Sequence, residues 1–146
     1  MSQRIFINLP VTDLGRAIAF YEGIGGTKEP KFSNESAAMI VVSDTIFVML
    51  LRHPFYNGFT SKPIADAHQT SQVLLCLSRD SRAAVDELVA KAKTAGGTID
   101  VGPKQEMGDL MYGRSFEDPD GHHWEVMWMD AAAAEQGASA FQTEAA

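Results

Sequence analysis

The sequence predicts an α+β fold: two tandem βαβββ modules forming a concave, barrel-like sheet with helices outside. Three observations predict it. The order strand, capped helix, Gly-Gly-Thr, strands runs once from Ile5 and again from Val73, with Asp13 answering Asp80 and Gly25-Gly26-Thr27 answering Gly96-Gly97-Thr98. Each copy has one stretch of helical period and several of period 2, so each is a small sheet with a helix on one face and its other face open. Two such units, paired within or between chains, would join their open faces into a cavity, and uncovered strand faces are where a site is expected. A chain of 146 residues, 45% hydrophobic and 21% charged, has the apolar material for one domain of this kind. We place that domain at residues 1–130, with the first repeat at about 4–52, the second at about 72–130, a linking loop at 53–71 and a C-terminal tail at 131–146.

Residues 5–11 alternate as a strand, with Phe6 and Asn8 on one face and Ile7 and Leu9 on the other. Pro10 has no amide proton to donate and belongs near the end of that strand or at an edge. Thr12 or Asp13 caps a helix over 14–22 with the apolar stripe Leu14, Ala17, Ile18 and Tyr21, and Gly23, Gly25 and Gly26 stop it. Residues 28–36 are polar and cross the surface. Strands follow at 37–42 and 45–51, joined at Ser43-Asp44. Residues 52–70 mix Phe55, Tyr56 and Phe59 with the breakers Pro54, Gly58 and Pro63, the composition of a lid, a binding loop or a linker packed on the surface.

A strand at 73–77 precedes a helix at 82–94, capped by Asp80 or Ser81, with Val85, Leu88, Val89 and Ala92 buried. Strands at 98–101 and 111–116 flank a flexible crossing at 102–108. Pro119 and Gly121 then make a turn in which Asp118 and Asp120 can bond their own backbone. The turn launches the last strand, with His123, Glu125 and Met127 on one face and Trp124, Val126 and Trp128 on the other. Two aromatics on one side suit a packed layer, which leaves Glu125 on the opposite face, at a site or in water. From Ala131 onward the chain is alanine-rich, a tail or a frayed helix.

The net charge of −7 and pI near 4.9 argue against nucleic acid or an anionic membrane as partner and suit a cationic ligand. A single cysteine, Cys76, excludes an internal disulfide. The opening apolar run is too short for a signal peptide and no segment is long enough to span a bilayer, so a cytoplasmic location is expected.

The segments Leu9-Pro10-Val11-Thr12-Asp13-Leu14, Ala19-Phe20-Tyr21 and Phe116-Glu117-Asp118-Pro119-Asp120-Gly121 with Trp124-Glu125 resemble the vicinal oxygen chelate superfamily. That superfamily includes glyoxalase I, extradiol dioxygenases, and fosfomycin and bleomycin resistance proteins; within it the chain is most similar to proteins called predicted lactoylglutathione lyases. The resemblance covers residues 5 to about 130 and implies the same duplicated fold. It also implies where a metal would be held, because enzymes of the superfamily place ligands at four positions, two per repeat. Those positions fall here on Phe6, on Met49 or Leu50, near Leu74, and on Glu125. Only Glu125 can ligate a divalent cation, so no metal cofactor is expected and a divalent metal is not supported by these positions. The arginine with which glyoxalase I holds a glutathione carboxylate falls on Pro10. The lactoylglutathione lyase activity is therefore not carried over with the fold.

The expected pocket is lined by Phe6, Asn8, Met49, Leu74 and Glu125, with Tyr112 and Arg114 as further ligand-binding residues. In an apolar cavity Glu125 would have its pKa raised by desolvation and serve as a general acid or base; otherwise it is a structural carboxylate bonded to Tyr112, Arg114 or backbone. Arg114 either pairs with Glu125, receives an anionic ligand, or is a surface arginine. His123 and Glu125 share a face as an i, i+2 pair, but two ligands are too few for a metal, and His123 beside a turn reads as solvated. His53 and His68 flank the linking loop without defined geometry. Cys76 shares Leu74's face and reads as a small buried hydrophobe, and Met39, Met49, Met107, Met111, Met127 and Met129 as core filling or a soft cavity lining. Two readings of function follow: a homodimeric, metal-free small-molecule binder of the bleomycin-resistance type, or a lyase or isomerase using Glu125 as general base. A purely structural or partner-binding role is the third.

Overall fold

The computed structural model describes residues 2–141, and its elements follow the two repeats. The first runs β1 (Ile5–Val11), helix α1 (Leu14–Gly23), β2 (Thr27–Glu29), a 3-10 turn at Pro30–Phe32, β3 (Ala37–Val41) and β4 (Ile46–Arg52). A one-turn helix, α2 (His53–Tyr56), opens the linking loop. The second repeat runs β5 (Leu74–Ser78), α3 (Arg82–Thr94), β6 (Thr98–Ile99), β7 (Gln105–Glu106), β8 (Met111–Glu117) and β9 (His123–Met129). Helix α4 (Ala131–Gln136) and a 3-10 turn at Ala138–Phe141 continue the chain; the rest of the predicted tail, 142–146, lies outside the described residues. None of the described helices is long and apolar enough to cross a membrane.

Local chemistry sets the helix bounds. Asp13 accepts a hydrogen bond from the Arg16 amide at 3.0 Å and starts α1; Ser81, not Asp80, does the same for α3 through the Ala84 amide at 3.0 Å. Gly25 and Gly96, at φ +108° and +104°, take the left-handed conformation that lets the chain leave each helix and enter the next strand. The sequence expectation lacked α2, β2 and β7. Stretches of two to four residues carry too little periodicity to read, and β2 and β7 exist because β3 and β8 pair with them.

The strands form two sheets, ordered β1-β4-β3-β2 and β5-β9-β8-β6, with β7 also on β8 and no closed barrel. β1 is parallel to β4, and β5 to β9; the other pairs are antiparallel. This leaves β1 and β5 at sheet edges. Helix α1 packs on the first sheet, α3 on the second, and α1 against α3. The helix-bearing faces of both modules meet in one core that includes Val11, Phe20, Val48, Val85, Phe116 and Trp124. Aromatic contacts cross the seam: Phe20 lies 5.9 Å from Phe116 and Tyr21 lies 6.2 Å from Trp124, centroid to centroid. Burying each such ring is worth roughly 1.5–3 kcal/mol.

The turn before β9 fastens the same seam. Asp118 Oδ2 accepts the Tyr21 hydroxyl at 2.6 Å, and the Trp124 indole N–H donates to that hydroxyl oxygen at 3.0 Å. Asp118 Oδ1 accepts the amides of Asp120 and His122, each at 2.9 Å. Asp120 Oδ1 accepts the amide and hydroxyl of Thr12, each at 2.9 Å, and His122 Nε2 donates to the Pro10 carbonyl at 2.7 Å. Burial pushes the Asp118 carboxyl above its usual range; burial, then the charge of Asp118, pushes the Tyr21 phenol well above its own. Gly121 sits at φ +88°, and a Cβ there would come within 2.8 Å of the His68 amide nitrogen, so the linking loop lies directly on the turn.

Candidate functional site

On the faces not used for the seam, the register brings predicted residues side by side. Phe6 is opposite Phe47 and Asn8 opposite Met49. The two phenyl rings stack at 4.9 Å with a 15° interplanar angle, and the Arg4 guanidinium lies 5.8 Å from the Phe47 centroid. Of the two candidates for the second position, Met49 shares the open face of Asn8, whereas Leu50 points into the core and is fully buried. In the second sheet Leu74 is opposite His123, and Glu125 lies between Cys76 on β5 and Ser115 on β8.

The enclosed apolar pocket expected from the sequence does not form within one chain. Phe6 is 46% exposed and Leu74 56%. Phe6 and Asn8 border a cleft of about 520 Å³ along the edge of β1, walled by Tyr56, residues 67–73, Leu75 and His123. Glu125 borders a separate cleft of about 80 Å³ with Cys76, Gln105, Met111 and Met127, and its side chain is 38% exposed. Met49 and Leu74 border neither. The physical reason is the seam: modules that meet through their helix-bearing faces do not press their open faces together. Helix α2 packs on β1 and β4, and at that end Pro10 and Leu51 are buried, leaving Phe6, Asn8, Phe47 and Met49 less covered.

Tyr112 and Arg114 are corrected outright as neighbours of Glu125. Tyr112 is opposite Trp128 and Arg114 opposite Val126, which puts both on the helix-bearing face. The Tyr112 hydroxyl donates to Asp86 at 2.6 Å; Arg114 donates to Asp86 at 2.9 Å and doubly to Asp100 at 3.0 and 2.8 Å. The Arg82 guanidinium lies 4.5 Å from the Tyr112 ring centroid. Arg114 reaches the rim of the Glu125 cleft, but its guanidinium is committed to the two aspartates. The Tyr112 hydrogen bond, followed by Arg114, holds the Asp86 carboxyl below its usual range, and Arg114 does the same for Asp100. These residues brace β8 against α3. Alternation failed to assign them because Gly113 has no side chain to carry it.

His123 is also corrected: its side chain is only 21% exposed, and its Nε2 is buried without a hydrogen-bond partner, 3.9 Å from Glu125 Oε2. Partial desolvation of its sulfur, then the nearby Glu125 charge, pushes the Cys76 thiol up, which disfavours the thiolate; the residue is exposed, not the buried hydrophobe expected. His53 and His68 border a third cleft with Asp66, Asp120 and the buried His122. At the four superfamily ligand positions stand two hydrocarbons, one thioether and one carboxylate, and among the described residues no group of three His, Cys, Asp or Glu side chains could hold a metal ion. This donor set does not fit a divalent cation held by several protein ligands. Sequence reasoning missed the 67–73 wall of the larger cleft, for which no signal exists; for His123 the i, i+2 spacing to Glu125 was the signal.

Residues 5–126 match the Glyoxalase/Bleomycin resistance protein/Dioxygenase superfamily. A comparison with curated proteins returns no match. Among solved structures, a hypothetical protein from S. aureus is 26% identical at TM-score 0.72, over 88% of this chain and 95% of that one. A glyoxalase/bleomycin resistance protein/dioxygenase family enzyme from Burkholderia phytofirmans PsJN is 19% identical at TM-score 0.71, over 88% of this chain and 100% of that one. A genomically encoded fosfomycin resistance protein from Listeria monocytogenes is 18% identical at TM-score 0.65, over 91% and 98%. The last two likenesses speak to the fold. With its duplicated βαβββ order, its two sheets and a match over most of its length, the chain belongs to the glyoxalase/bleomycin resistance protein/dioxygenase superfamily.

Proposed function

We propose that the chain binds a small cationic or aromatic organic molecule, without a metal, on its open sheet faces, in a site completed by a second copy of the chain. The observation that carries this reading is the pair of open half-sites: exposed Phe6 and Leu74, at two positions that the resemblance gives to metal ligands, on the edge strands β1 and β5. Exposed apolar side chains on unpaired edges are a liability that a partner strand or sheet relieves. The stacked Phe6 and Phe47 rings offer a flat apolar surface, and Glu125, with Glu117 at the larger cleft, supplies negative charge in a chain whose net charge is −7. Members of the superfamily bind small molecules, which fits the reading.

The experiment is thermal denaturation of chelator-treated protein with an aryl ammonium, an alkyl ammonium and a neutral aromatic probe. A ligand that binds only the folded state stabilises it, by about 2.7 kcal/mol at 100 times its Kd. The aryl ammonium is expected to raise Tm most, and Glu125→Gln to remove much of that rise. No shift with any probe contradicts the reading.

A second reading has a specific observation behind it. His123 Nε2 lacks a partner and sits 3.9 Å from Glu125 Oε2, a pair placed to pass a proton to or from a bound substrate. In that case the chain is a lyase or isomerase with Glu125 as general base. On any substrate the wild type turns over, Glu125→Gln then drops kcat by 100-fold or more; unchanged turnover ends this reading.

A further inference from the structure

We propose that the larger cleft is a peptide site, in which a short, extended, positively charged peptide adds to the free edge of β1 as a further strand. The register decides which main-chain groups face the cleft. The Ile5 amide donates to the Thr45 carbonyl at 2.9 Å, so in this parallel pair Ile5, Ile7, Leu9 and Val11 turn their amides and carbonyls toward β4. Phe6, Asn8 and Pro10 turn theirs to the edge. Pro10 agrees with this assignment: its carbonyl meets His122 Nε2 at 2.7 Å, and its missing amide proton falls where β4 asks for none. Among the described residues the amides of Phe6 and Asn8 and the Asn8 carbonyl have no partner, and the Phe6 carbonyl has only the Asn8 side-chain amide at 3.4 Å.

Across the cleft of about 520 Å³ runs the 67–73 segment, and there the amides and carbonyls of Ser71 and Gln72 are also without partners among the described residues. Unmet donors and acceptors along two main-chain stretches are satisfied by an extended chain laid between them, which a compact aromatic ligand cannot do. The walls are open to such a chain: Phe6, Asn8 and Val73 are all exposed. From Phe6 to Pro10 the edge runs roughly 13 Å, the length of about four extended residues. Charge sets the sign of the peptide. Glu117 is the acidic residue of the lining, which holds no lysine or arginine, and among the described residues Glu117 makes no ion pair. A lysine or arginine of the peptide would find in this half-buried carboxylate a partner that the chain does not supply. The inference deepens the proposed function: it rests on that reading's cationic ligand, gives the ligand an amide backbone, and needs neither Glu125 nor a second copy.

The test is a titration of the full chain with a capped pentapeptide of alternating threonine and valine around a central lysine, read by amide NMR and hydrogen exchange. Two controls accompany it: the same peptide N-methylated at alternate amides, and one with glutamate in place of lysine. Saturable binding should slow exchange of the Phe6 and Asn8 amides at least roughly tenfold, because strand addition gives them acceptors. The N-methylated and glutamate peptides should each bind at least roughly fivefold more weakly. Asn8→Pro, which removes an edge amide and leaves the β4 pairing intact, should abolish binding, and Glu117→Gln should weaken the lysine peptide at least roughly fivefold. No binding, equal binding of the N-methylated peptide, protection confined to other amides, or full affinity in Glu117→Gln would each overturn the proposal. So would Phe6 and Asn8 amides already protected without peptide in a chain of twice the mass, since a second copy would then be the occupant. An aryl ammonium that raises Tm while no peptide binds would end this inference and leave the proposed function standing; no response to either would end both.

Discussion

Asp118 and Glu125 come from one short stretch of sequence and end in different physics. Asp118 is 3% exposed; one oxygen holds the Tyr21 hydroxyl and the other two backbone amides, so its carboxylate fastens the first module to the second. Glu125 is 38% exposed on the opposite face of the following strand, with a histidine nitrogen at 3.9 Å. The turn motif that resembles the superfamily is thus a joint, and it specifies how two modules dock. Glu125, the proposed site residue, lies outside the joint, on the open face it shares with Cys76 and Leu74. This is why membership transfers the fold and not the reaction.

The contrast breaks most visibly if the joint is cut. Asp118→Ala leaves two buried amides and a buried phenol without their acceptor, and a loss of about 3 kcal/mol is expected in urea unfolding. Gly121→Ala should cost about 2 kcal/mol, because a side chain at φ +88° is strained and its Cβ would strike the linking loop at His68. Glu125→Gln should change stability by less than about 0.5 kcal/mol while weakening ligand binding. A large loss of stability in Glu125→Gln would place that residue in the joint's class instead.

A pH series sharpens the same contrast by sign. Burial raises the Asp118 carboxyl, so the stability linked to its proton is fully present below the ordinary value of 3.8 and is lost as pH rises through the raised folded value. Asp86 and Asp100 are lowered, so their share is present above 3.8 and is lost as pH falls through their lowered values. Measured by urea midpoints, Asp118→Asn should lose ground to wild type as pH falls from neutral toward about 4. Asp86→Asn should gain on wild type as pH falls below that point.

Much of the fold was legible because it rests on periodicity and caps. The helix over 82–94 and the split of the last strand into a Trp124/Val126 face and a Glu125 face follow from side-chain spacing alone. The closing of Asp118 on Tyr21 was not legible, since it joins residues far apart in sequence. Tyr112 and Arg114 were misassigned where Gly113 interrupts the alternation. How the open faces are enclosed was not legible: pattern identifies which faces lack a helix, but not which faces two modules will turn toward each other.

In the proposed reading one chain supplies two half-sites, and sedimentation equilibrium at micromolar concentration tests most directly for the second chain that would close them. Wild type is expected near twice the chain mass of 15.9 kDa, and Leu74→Asp, which puts a charge on an exposed edge residue, near 15.9 kDa with its helix content unchanged. A wild type that stays at 15.9 kDa, with Leu74→Asp no different, would contradict a site shared between two copies.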